Sequence, residues 1–188
     1  MANIPGTAGL ATVIATVIMS LVSPGLVGSA SAGGGVIAEI RGGVLAHDAT
    51  DLYEDPRGED GLDGNLEILF APGRPFFGGA IRPALGGTAS VGGHTNLAYA
   101  DLRYEHELRG GIFFGLGLGA AVHDGPLDDR RDRKALGSRV LFHIPLELGY
   151  RFDEHNSVSL YFEHVSNAGL ADENEGMDNL GLRYGHRF

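Results

Sequence analysis

The chain of 188 residues has no cysteine, which removes thiolate nucleophiles, thiolate metal sites and disulfides. Hydroxyl, imidazole and carboxylate groups remain as its chemistry. They gather in Phe162-Glu163-His164-Val165-Ser166-Asn167-Ala168. Side chains two apart on a β-strand share a face, so His164 and Ser166 would stand side by side, a base within hydrogen-bond reach of a hydroxyl. A lone His and Ser at this spacing is ordinarily structural, so the pair matters only if its surroundings fit. An imidazole used as a base needs an acid to orient it, and Asp172, Glu173, Glu175 and Asp178 follow. The Asn167 side chain, or N–H groups near it, would be the donors for a developing oxyanion.

The elements that must hold these groups read as strands. Beyond residue 35 no helical period of useful length occurs, and apolar residues recur at every second position, as in Val140, Phe142, Ile144, Leu146, Leu148 and Tyr150, or Val158, Leu160 and Phe162. Small, polar or charged residues alternate with them, among them Gly115, Gly117 and Gly119. Eight segments result, at 36–46, 63–71, 79–88, 95–106, 111–122, 138–150, 156–166 and 179–188. Long, charged or Gly-rich connections alternate with short ones, although 72–78, with Pro72 and Pro75, is longer than that pattern expects. The expectation is an all-β fold, an eight-stranded antiparallel transmembrane β-barrel of a bacterial outer membrane. Such a barrel is just wide enough for side chains to fill, so it is no pore. Glu39, Arg41, Glu67, Glu147, Glu163, Arg183 and Arg187 should line its interior as paired charges. A soluble lipocalin-like barrel would reverse this, with apolar residues inside.

Parity then gives the pair its surroundings. His164 and Ser166 continue the outward row of Val158, Leu160 and Phe162, and two polar groups at the end of a lipid-facing row suggest chemistry on a lipid. Counting back from Phe188 through Tyr184, Leu182 and Leu180 keeps that face and arrives at Asp178, the preferred acid. Glu175 falls in the loop and is the second choice.

The N-terminal part sets the location. No charged residue precedes Glu39, and the apolar run 10–22 (LATVIATVIMSLV) is too short to span a bilayer as a helix. Ala30-Ser31-Ala32 follows as a cleavage site, so 1–32 is expected to be a cleaved signal peptide and 33–188 a single barrel domain, although no Lys or Arg precedes the run. A net charge of −10 excludes a nucleic-acid footprint. The histidines at 47, 94, 106, 123, 143, 155 and 186 show no ligand spacing. The segment 172–178 lacks the Gly and the final Glu of a calcium loop, so neither metal nor cofactor is expected.

His164-x-Ser166-Asn167-Ala168, Asn174 and Gly176 in a polar loop, an acid fourteen residues after the His, and the ending Gly181-Leu182-Arg183-Tyr184-Gly185-x-Arg187-Phe188 resemble the outer-membrane lipid A 3-O-deacylases of the PagL type. The close match covers about 25 residues. It implies hydrolysis of the ester-linked acyl chain at the 3-position of lipid A by a Ser/His/acid mechanism. His164, Ser166 and Asp178 (or Glu175) would be catalytic, with Asn167 at the oxyanion. Family members commonly carry Glu as the acid, so Asp178 is a shorter substitute. The implied partners are lipopolysaccharide as substrate, outer-membrane lipids and the barrel assembly machinery; a homodimer is left open. With both termini periplasmic, the site lies at the outer leaflet. The run 128–134 (DDRRDRK) reads as a solvated loop tip, or as Arg130, Arg131, Arg133 and Lys134 meeting lipid A phosphates. The competing readings are an outer-membrane phospholipase A, whose twelve strands exceed what 33–188 can supply, and a non-catalytic barrel of the OmpA or OmpX type.

Overall fold

The computed structural model describes residues 35–49, 59–128 and 133–188, so the expected signal peptide lies outside the described residues. Alternating side chains, with β-branched and aromatic residues on one face, form pleated strands that pair side by side. Among the described residues these are β1 (Ile37–His47), β2 (Gly61–Phe70), β3 (Arg74–Phe76), β4 (Gly79–Ser90), β5 (Leu97–Glu107), β6 (Ile112–His123), β7 (Val140–Arg151), β8 (Asn156–Ser166) and β9 (Met177–Arg187). All pairings are antiparallel. The order runs β2-β1-β9-β8-β7-β6-β5-β4, and pairing of β2 with β4 closes eight wall strands into a barrel. β3 pairs only with β4. It forms a hairpin within the connection that looked too long, turning at Phe77 and Gly78, both with positive φ.

Charge lies inside and apolar surface outside. Glu147 collects three guanidinium groups: Arg41 at 2.6 Å, Arg103 at 2.7 Å and Arg183 at 2.8 Å. Ser159 Oγ donates to its other oxygen at 2.6 Å. Arg41 also pairs with Glu39 and Glu105, and Arg183 with Glu67. Each inward charge foreseen in the sequence is buried, except that Arg187 at the rim keeps 29% exposure. Arg103, Glu105 and Arg151 join them. Bulk is balanced by inward glycines; a Cβ on Gly149 would stand 2.2 Å from the Phe113 ring. Leu116, Leu118, Leu146, Leu148, Leu160 and Leu182 face outward and are exposed, the reverse of a water-soluble barrel.

At one end of the barrel β1 leads into β2, β4 into β5, β6 into β7 and β8 into β9; the other end holds 71–78, 108–111, 152–155, the start of β1 and the end of β9. At the first end the lumen turns apolar. Leu97, Tyr99, Ala121, Leu141, Val165 and Met177 form a cluster there, and Leu136 enters it from the loop 124–139. That plug lies directly behind the ends of β8 and β9.

Candidate active site

β8 and β9 pair in a register that sets His164 opposite Asp178 and Phe162 opposite Leu180. On the other edge of β8, Ser166 faces Phe142 of β7. Opposed side chains on one face of such a pair have Cβ atoms about 5 Å apart, so the ladder itself carries the carboxylate to the imidazole. His164 Nδ1 is 2.6 Å from Asp178 Oδ1, and His164 Nε2 is 3.0 Å from Ser166 Oγ. A carboxylate only accepts hydrogen bonds, so Nδ1 carries the proton and donates. Nε2 then presents its lone pair to the Ser166 hydroxyl, which donates to it. The three side chains share the outward row of Phe162 and Leu180. The His164 side chain keeps 25% exposure and that of Asp178 only 8%. A reachable base is thus backed by a shielded acid.

The loop 167–176 folds against this row. Gly176 has φ +64 and lies so close that a Cβ there would be 3.3 Å from His164 Cε1. Glu175, the second choice for the acid, is engaged elsewhere: Ala135 N–H donates to Glu175 Oε2 at 2.6 Å, and Glu175 N–H donates to Ala135 O at 3.1 Å. It ties the loop 167–176 to the loop 124–139, and the carboxylate brought to His164 is that of Asp178. Between the same loops Gly137, at φ +68, admits Glu173 so closely that a Cβ would fall 1.9 Å from the Glu173 carbonyl oxygen.

Asn167 is buried in the base of the loop 167–176. It is 2% exposed, and its Nδ2 donates to Leu136 O at 3.0 Å and Glu173 O at 2.6 Å. Its oxygen accepts from Leu170 N–H at 3.0 Å, and its own N–H donates to Asn174 Oδ1 at 2.8 Å. Both amide hydrogens are committed to loop carbonyls, so the side chain is not free to meet an oxyanion. The N–H groups of Ala168 and Gly169, in a turn with φ 55 and 75, have no acceptor among the described residues.

The loop cations are also internal. Arg133 Nε donates to Glu59 Oε1 at 3.1 Å, and Lys134 Nζ lies 3.0 Å from Asp48 Oδ1. They answer carboxylates of this chain rather than standing free for phosphates, and Arg130 and Arg131 lie outside the described residues. Burial pushes the Glu59 carboxyl up, but the hydrogen bond to His47 and the Arg133 guanidinium outweigh it and hold the group down at about 2. Burial raises the Asp48 carboxyl, with Lys134 pulling against it. Asp48 and Glu59 had no signal in the sequence beyond an acidic loop. For Lys134 the available signal was the apolar Ala135-Leu136 that follows the charged run, marking where the loop dives inward.

A groove of about 400 Å³ opens at Phe142, the residue paired with Ser166, and is lined also by Ala120, Ser138, Val140, Asn167, Leu170 and Ala171. Among the described residues no group of three or more His, Asp or Glu side chains is placed to hold a metal ion.

Fold and site together define a class of protein: a small antiparallel barrel, apolar on its outer wall, carrying a carboxylate, an imidazole and a hydroxyl hydrogen-bonded in line on that wall. The sequence model of the family described as Lipid A 3-O-deacylase (PagL) matches residues 78–187, more than half of the chain, and the chain belongs to that family. The lipid A deacylase PagL of Bordetella bronchiseptica is 31% identical over 78 residues, covering 41% of this chain; the match spans 42% of that protein's length. Among solved structures, the outer membrane enzyme PagL is similar with a TM-score of 0.63 at 22% identity, over 80% of this chain and all of that one. Neisserial surface protein A is similar at a TM-score of 0.50 and 7% identity, over 83% of this chain and 99% of that one. These two likenesses concern the fold.

Proposed function

We propose that this chain sits in a bacterial outer membrane and hydrolyses the ester-linked acyl chain at the 3-position of lipid A, with Ser166 as nucleophile. The observation that carries this reading is the line Asp178–His164–Ser166 on an outward, apolar face. Family membership supports the substrate, and the apolar outer wall supports the membrane. With the start of β1 and the end of β9 on the periplasmic side, the end of β8 and the start of β9 would lie at the outer leaflet, where lipopolysaccharide resides.

His164 Nε2 takes the Ser166 proton as Oγ attacks the acyl carbonyl, and Asp178 steadies the imidazolium that forms. N–H groups of the turn 168–169 are the donors best placed to face the oxyanion. Collapse of the tetrahedral intermediate gives an acyl-Ser166 ester, with the His164 proton passing to the departing sugar oxygen. Water, activated by His164, then releases the fatty acid and restores the serine. The groove between β6, β7 and Leu170, with Val140 and Phe142 on its wall, would take the acyl chain.

The test is fatty-acid release by purified protein in detergent from lipopolysaccharide and, separately, from phospholipid. Release from lipopolysaccharide that disappears in Ser166→Ala is the expected result. Release from phospholipid alone would reassign the substrate, and release from neither would leave a structural barrel.

A further inference from the structure

Asp178 is held differently on the two edges of β9. One edge of β9 is laddered to β8 through His164↔Asp178 and Val165↔Met177. On the other edge, pairing with β1 runs from Glu39↔Arg187 only as far as Ala46↔Leu180. The residues that carry the acid have therefore left that ladder. The turn after β1 meets Asp178 and its neighbour Asn179 there. Ala49 N–H donates to Asp178 O at 2.7 Å, Asp48 N–H donates to Asn179 Oδ1 at 3.0 Å, and Asp178 N–H reaches Asp48 Oδ1 at 3.5 Å. Asp48 takes φ 47 to turn its N–H and its carboxylate toward the same strand. Its Oδ1 is also the atom that Lys134 Nζ meets at 3.0 Å, with both side chains at most 7% exposed. Lys134 is fixed in turn by its own N–H, which donates to Glu59 Oε1 at 3.1 Å.

We propose that the buried Asp48–Lys134 pair is a positioning pair for the acid: it clamps the unladdered edge of β9 so that the Asp178 carboxylate meets His164 Nδ1. Its effect on rate rests on the hydrolase reading above; its effect on geometry does not. A buried ion pair that loses one partner leaves the other uncompensated, so the turn carrying Asp48 relaxes and its hold on Asp178 N–H and C=O loosens. A displacement of about 1 Å at a group that orients a base can cost on the order of 100-fold in rate.

Two substitutions separate charge from shape. Lys134→Met keeps a long stem without the ammonium. Asp48→Asn keeps an acceptor oxygen and a residue type that tolerates positive φ, without the carboxylate. Each is made in the full chain, checked for folding by heat-shifted mobility, and read in two ways. The first is the low-field proton resonance of His164 Nδ1–H, identified by its absence in His164→Gln. The second is kcat and KM for ester hydrolysis. Expected are loss or broadening of the resonance and a fall in kcat of about 10- to 100-fold with KM little changed, while Lys134→Arg retains both. If one variant does not fold, the other carries the test. If wild type hydrolyses no ester but its resonance still vanishes in the variants, the hydrolase reading fails and the positioning role stands. A wild type lacking that resonance, or folded variants that keep it along with wild-type kcat, overturns the proposal.

Discussion

His164 stands between two oxygens of different character, a carboxylate that can only accept and a hydroxyl that can give a proton away. In the proposed mechanism the order of those partners along the ring makes the imidazole a base toward Ser166. Asp178→Ala should therefore lower the rate of acyl release by up to about 10⁴, the scale of losing the orienting acid in a well-built triad. Glu175→Ala should have a much smaller effect, because Glu175 is bonded to the Ala135 backbone. Initial rates for both variants, each shown to be folded, distinguish them; a large loss in Glu175→Ala alone would move the acid into the loop. The spacing of His164, Ser166 and Asp178 was legible in the sequence because strand parity and pairing across one ladder are local rules. The surroundings of Asn167 were not legible, because its partners, the carbonyls of Leu136 and Glu173, come from loops whose meeting no local rule announces.

Elements matter here mainly as loops that fasten the ends of β8 and β9. Gly137→Ala would force a Cβ into the Glu173 carbonyl at a positive φ, a change that costs more than about 1 kcal/mol. The expected result is a lower urea midpoint for loss of heat-shifted mobility, together with reduced hydrolysis; an unchanged midpoint would mean that the two loops are not packed as described. Glu59 links the loop after β1 to Arg133, Lys134 and His47. Its folded pKa, about 2, lies below the ordinary 4.5, so its contribution to stability is present above pH 4.5 and is lost as the pH falls toward 2. Glu59→Gln should flatten the pH dependence of the urea midpoint across that window; an unaltered slope would contradict the assignment. The sequence marked these loops as long and charged but could not tell a solvated charge from a buried one. That difference lies in which carboxylate each cation reaches across the barrel mouth.

At the scale of the whole molecule, an inverted distribution of charge makes the apolar outer wall the ground on which the site stands. Glu147 accepts from Arg41, Arg103 and Arg183, so Glu147→Ala leaves three buried cations without their common partner. Breaking buried pairs in this way costs about 3–5 kcal/mol, which urea unfolding of the two proteins in the same detergent should register; a shift within experimental error would mean that the lumen tolerates unpaired charge. The eight wall strands and most of the inward charges could be read from alternation. Arg103 and Glu105 could not, because β5 also turns Leu97 and Tyr99 inward toward the apolar plug, blurring the parity that marked the other strands. The central claim is that Ser166, on the outer wall, removes the 3-position acyl chain of lipid A, and mass spectrometry of lipid A from cells producing the wild-type chain or Ser166→Ala tests it most directly. The prediction is a species lighter by one 3-linked hydroxyacyl chain with wild type and none with the variant, both barrels being present in the outer membrane; unaltered lipid A with wild type, or the same loss with Ser166→Ala, would contradict it.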